Sequence, residues 1–75
     1  MDTSIKYDYN KLIGRITEMF GRQYLFAEHI GMGRSALSLK LNNVKRFKQD
    51  DVKKAANALN LTLEEIGEYF FNEMV

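Results

Sequence analysis

Apolar residues recur along this chain at helical rather than strand spacing. Leu12, Ile13, Ile16, Met19 and Phe20 share one face of a helix predicted over Tyr9–Phe20, and Gly21 follows as its C-cap. Phe26, Ala27 and Ile30 make a shorter stripe, which predicts a second helix over Tyr24–Ile30. Leu37 and Leu41, one turn apart, anchor a third over Gly33–Asn42. Val52, Ala55, Ala56 and Leu59 mark a fourth over Gln49–Leu59, with Asp50 and Asp51 in the first turn, where acidic side chains suit the helix dipole. Thr62 and Glu65 frame a capping box that opens a fifth helix, expected to bury Leu63, Ile66 and Phe70. No stretch alternates with strand period. The pattern predicts an all-α bundle of five short helices in a single domain over residues 1–75, with a flexible N-terminus over 1–8 and an apolar tail over 71–75.

The second and third helices carry the most specific signal. In QYLFAEHIGMGRSALSLKLNN, Ala27 is the small residue needed where two helices cross closely, and Gly31 supplies the left-handed backbone of a tight turn. Met32 plugs that turn, and Leu37 and Leu41 hold the second helix against the first. Together these constraints describe a helix-turn-helix. Gly14 and Gly67 fall inside predicted helices, where each costs roughly 1 kcal/mol against alanine, and close helix packing is the expected reason.

Composition narrows the class. The chain has 75 residues, 45% apolar and 28% charged, as in an ordinary globular domain. It has no cysteine, so disulfides and thiolate metal sites are excluded. No apolar run is long enough to span a bilayer and the N-terminus lacks a signal-peptide core, so a cytoplasmic protein without a membrane partner is expected. Net charge is only +1, but residues 1–48 carry nine Lys/Arg against four Asp/Glu, and residues 49–75 carry two against six. Arg34 to Lys48 contains five basic residues and no acidic one. That run coincides with the third helix and the loop after it, where phosphate contacts would be needed. No catalytic constellation stands out. His29 has neither a nucleophile at fixed spacing nor a second histidine for a metal, and the acidic pairs Asp50-Asp51 and Glu64-Glu65 point about 100° apart on a helix. No enzyme activity, cofactor or metal is expected.

A helix of this kind enters the major groove with its N-terminal residues leading. Arg34, Ser35, Ala36, Ser38 and Leu39 are therefore the candidate base-reading residues, with Arg34 suited to guanine O6 and N7. Gln23, Lys40, Asn42, Asn43, Lys45, Arg46 and Lys48 are the candidate phosphate contacts. Tyr69, Phe71, Met74 and Val75 exceed what a core needs and suit a dimer or partner surface.

The motif, the phrase LSLKLNN, the pattern FKQDDVKKAANALNL and the closing LTLEEI resemble the phage repressor and Cro-like family of helix-turn-helix proteins, particularly small Cro-like regulators of phages of Gram-positive bacteria. The resemblance runs from Lys11 to Phe71. It implies a five-helix, lambda-repressor-like bundle that binds double-stranded operator DNA as a homodimer and blocks a promoter in a lytic–lysogenic switch. It places the base-reading positions on Arg34, Ser35, Ser38 and Leu39, and the first phosphate contact on Gln23. Lys40 departs from the family, which usually has a hydrophobic residue there. An alternative stays open: an antirepressor or modulator that binds a phage repressor protein through the apolar tail, which the near-neutral net charge also suits.

Overall fold

The computed structural model of the protein describes residues 5–74. Five helices follow one another: α1 (Asn10–Phe20), α2 (Gln23–His29), α3 (Arg34–Leu41), α4 (Gln49–Leu59) and α5 (Leu63–Phe70). The expected all-α bundle is the observed one; the first four helices begin and end within one residue of their predicted positions, and α5 opens after the predicted cap, Thr62. Leu12, Ile16, Phe26, Leu37, Leu59 and Phe70 are fully buried at its centre. Helix α1 packs on α2, α4 and α5, and α2 packs on α3. The Arg15 guanidinium ties α1 to the end of α4, donating to the Leu59 carbonyl from Nε and Nη2 at 3.1 and 2.9 Å.

Short helices need their ends closed, because terminal carbonyls otherwise lack donors. Three ends here are closed alike. After α2, Gly31 turns left-handed at φ 71°, Met32 N–H reaches Ala27 O at 2.8 Å and Gly31 N–H reaches Glu28 O at 3.1 Å. Asn43 repeats this after α3, with Val44 N–H on Leu39 O, and Asn60 repeats it after α4, with Leu61 N–H on Ala56 O. Asparagine tolerates the left-handed region better than other residues with a Cβ. At the start of α5 the predicted capping box is present: Glu65 N–H donates to Thr62 Oγ1 at 3.2 Å and Thr62 N–H to Glu65 Oε1 at 2.9 Å. The Thr62 N–H holds the Glu65 carboxyl below its ordinary value.

Four expectations need correction. Leu63 is 88% exposed, because it opens α5 at the periphery while Leu61, drawn in by its bond to Ala56, packs against the core. Met19 likewise lies exposed at the outer edge of the α1 stripe. Gly14 and Gly67 are not sites of close packing, since a Cβ at either would meet no atom within 4 Å. The N-terminus is not loose over its whole predicted length. Residues 6–8 pair antiparallel with 72–74, through Asp8 N–H to Asn72 O at 2.7 Å and Met74 N–H to Lys6 O at 2.8 Å. Among the described residues no helix is long and apolar enough to cross a membrane.

Candidate helix-turn-helix face

Helices α2 and α3 meet through Phe26, Ala27, Leu37 and Leu41, all buried, and Ala27 retains no exposure. The Gly31 turn fixes the angle between them. This leaves Gln23 and Tyr24 on α2, and Arg34, Ser35 and Ser38 on α3, facing solvent, with Ala36 and Leu39 half-buried beside them. An open groove runs between the N-terminal turns of the two helices, lined by Arg22, Gln23, Tyr24, Arg34, Ser38 and Leu39 among others. Four of the five predicted base-reading residues border or line it, together with Gln23; Ala36 is not among the lining residues.

Arg34 is not free in this groove. Its guanidinium carbon lies 4.8 Å from the centre of the Tyr24 ring, a cation–π contact that restrains the side chain. Tyr24 and Arg22 were not among the sequence candidates. The available signal was an aromatic at the second position of a short helix, outside its apolar stripe.

The predicted phosphate contacts divide. Gln23, Lys45, Arg46 and Lys48 are exposed, the last three in the loop between α3 and α4. Lys40 is not available to phosphate. It is only 8% exposed, and its Nζ lies 2.6 Å from Asp51 Oδ2 on α4. The same carboxylate oxygen accepts the Lys48 N–H at 2.8 Å, which closes the first turn of α4. Burial pushes the Asp51 carboxyl up, but the Lys40 and Lys48 bonds and charges outweigh it, and its pKa lies below the ordinary value. Lys40 thus occupies a hydrophobic position in the helix pattern and is accommodated there by an ion pair.

Asn43 is committed as well. Its carboxamide accepts the Tyr7 N–H and donates to the Tyr7 carbonyl, both at 2.9 Å, imitating a neighbouring strand. Asn42 remains exposed, although its side chain donates back to Ser38 O at 2.8 Å.

The expected dimer or partner residues are split in the same way. Tyr69 is half-buried with Lys11 Nζ 5.4 Å from its ring, whereas Phe71 and Met74 are 56% and 57% exposed. Val75 lies outside the described residues. Among the described residues no group of three or more histidine, aspartate or glutamate side chains stands close enough to hold a metal.

Residues 5–73 match the family described as "Protein of unknown function (DUF739)", and the chain belongs to that family. Among solved structures, the chain is similar to the solution structure of the modulator of repression (MOR) of the temperate bacteriophage TP901-1 from Lactococcus lactis. The two are 45% identical, the match covers 88% of this chain and 89% of the other, and the TM-score is 0.77. No curated protein matches the chain.

Proposed function

We propose that this member of the DUF739 family modulates repression in a temperate phage by binding a repressor protein, and does not act first as an operator-binding repressor itself. The observation that carries this reading is the 45% identity to a phage modulator of repression along 88% of the chain. The geometry supports it. Two of the seven candidate phosphate contacts, Lys40 and Asn43, are spent on internal bonds. The α2–α3 groove that remains mixes an aromatic ring, two leucines and two serines with a glutamine and two arginines, one of them over the Tyr24 ring. Aromatic and arginine side chains of this kind dominate the centres of protein interfaces. The surface of α2 adds Tyr24 and Leu25, each 40% exposed.

A second reading keeps the sequence expectation of a homodimer on operator DNA. It is favoured by one observation: Arg34, Ser35 and Ser38 stand exposed on the first two turns of α3, with Lys45, Arg46 and Lys48 beyond the other end of that helix. Both readings put the protein in the bacterial cytoplasm, where repressor and operator meet.

Three-component binding separates the two. The repressor of the same phage is titrated with this protein by calorimetry, and operator DNA is followed by fluorescence anisotropy with either protein or both. The proposed function predicts a stable protein–protein complex that changes repressor occupancy of the operator, together with weak, sequence-independent DNA binding by this protein alone. Absence of that complex, combined with operator-specific DNA binding lost in Arg34→Ala, would establish the second reading instead.

A further inference from the structure

Five aromatic rings meet where the two ends of the chain pair. Phe47 stands edge-on to Tyr9 and to Phe70, with centroids 5.3 and 5.2 Å apart, and Tyr7 stands edge-on to Phe71 at 6.0 Å. Tyr9 and Phe70 are buried, Tyr7 and Phe47 are half-buried, and Phe71 is exposed at the rim. They enclose a crevice of about 150 Å³ with Arg46 at its edge. Cavities of roughly that volume accept a benzene ring.

The Arg46 guanidinium lies 5.5 Å from the centre of the Tyr7 ring. Burial raises the Tyr9 phenol above its ordinary value and the Arg46 charge opposes that rise, so the guanidinium is felt within the cluster. Lys45 and Lys48 flank Arg46 in the chain, all three are exposed, and among the described residues no acidic side chain lines the crevice.

We propose that this crevice docks a segment of a partner protein that presents an aromatic side chain beside acidic residues. The incoming ring takes the crevice, where edge-to-face partners already surround the space. A neighbouring carboxylate pairs with the exposed Arg46 guanidinium, whose donor fork can make two parallel bonds to it. Lys45 and Lys48 favour further acidic residues on the same segment. A nucleic-acid backbone would use these basic residues and leave the aromatic crevice empty. The site lies beyond the C-terminal end of α3, whereas the Arg34 groove opens at its N-terminal end. It therefore stands apart from the α2–α3 groove, although Phe71 belongs to the apolar tail through which the sequence has a modulator bind its repressor.

The test is an amide-shift titration of the full, nitrogen-labelled chain with an acetylated pentapeptide, a phenylalanine flanked on each side by two glutamates. Saturable shifts at Arg46, Phe47 and Phe71 are expected, with none at Gln23, Arg34 or Ser35. Arg46→Glu and Phe71→Ala should each weaken binding about tenfold. Both positions are exposed, and far-UV circular dichroism will verify that both variants keep the parent fold. Four results would overturn the proposal: no shifts at millimolar peptide, unchanged affinity in the folded variants, equal binding of peptides with alanine for phenylalanine or lysine for glutamate, or shifts at these amides from duplex DNA in place of the peptide.

Discussion

The Lys40–Asp51 pair should be worth several times an exposed ion pair, and a double-mutant cycle will measure it. The side chains are 10% and 17% exposed and their charged atoms are 2.6 Å apart. At that distance, with an effective dielectric of about 20, the gross attraction is about 6 kcal/mol, most of which desolvation cancels. A hydrogen bond between charged groups nets about 1.5–3 kcal/mol, which sets the scale. Lys40→Met leaves Asp51 with the Lys48 N–H and some water, so it should cost about 2 kcal/mol, less than the loss of a partner in a fully buried pair. Asp51→Asn keeps an acceptor for that N–H but strands the Lys40 ammonium, and should cost about as much. Replacing both removes the stranded charges. The double variant should therefore be no worse than either single one, giving a coupling energy of about 2 kcal/mol. Urea unfolding at neutral pH, followed by far-UV circular dichroism, gives the four stabilities. A coupling below about 0.5 kcal/mol, the range of exposed pairs, would refute the argument. So would a Lys40→Met variant of parental stability that has lost binding to its macromolecular partner.

Three further outcomes are expected. Asp51 and Glu65 both have lowered pKa values, so each binds fewer protons in the folded state; the stability they contribute is complete above the ordinary carboxylate value and is lost as pH falls through the lowered values. Urea midpoints should accordingly drop on acidification below about pH 4, and Asp51→Asn should flatten that drop. Gly14→Ala and Gly67→Ala should each stabilise the protein by about 0.5–1 kcal/mol, since a methyl group meets open space at both; destabilisation in thermal melts would contradict this. Thr62→Ala should cost about 1 kcal/mol by removing the cap of α5, and a melting temperature equal to the parent's would show that the cap contributes nothing.

The helices were legible because their signals are local. An apolar stripe, a glycine or asparagine after it and a capping pair all lie within one or two turns, and α4 runs over the predicted residues, Gln49–Leu59. The tight connection of α2 to α3 was legible for the same reason: Ala27, Gly31 and Leu37 each answer a constraint set by near neighbours. What stayed hidden depends on residues distant in the chain. Lys40 reads as a surface charge until α4 brings Asp51 against it. Asn43 reads as a polar loop residue, yet its partner is Tyr7, 36 positions away. Residues 6–8 and 72–74 are too short to show strand periodicity, so their pairing leaves no trace in the pattern. Within the groove, the candidate residues of α3 were found because that helix presents them in sequence, whereas the stack of Arg34 on Tyr24 joins two helices across the turn.

Because Tyr7 pairs with Glu73, the polypeptide enters and leaves the domain at one corner. The stretch from Tyr7 to Glu73 thus closes on itself, the geometry that tolerates circular permutation. The two paired segments, residues 6–8 and 72–74, therefore run beside the crevice that Tyr7 lines with Arg46 and Phe71, beyond the C-terminal end of α3. The N-terminal turn of that helix, with Arg34 and Ser35, lines a separate groove that shares no residue with the crevice. Loosening this corner would thus disturb the aromatic crevice before it reached the α2–α3 groove, so the two surfaces can be perturbed separately.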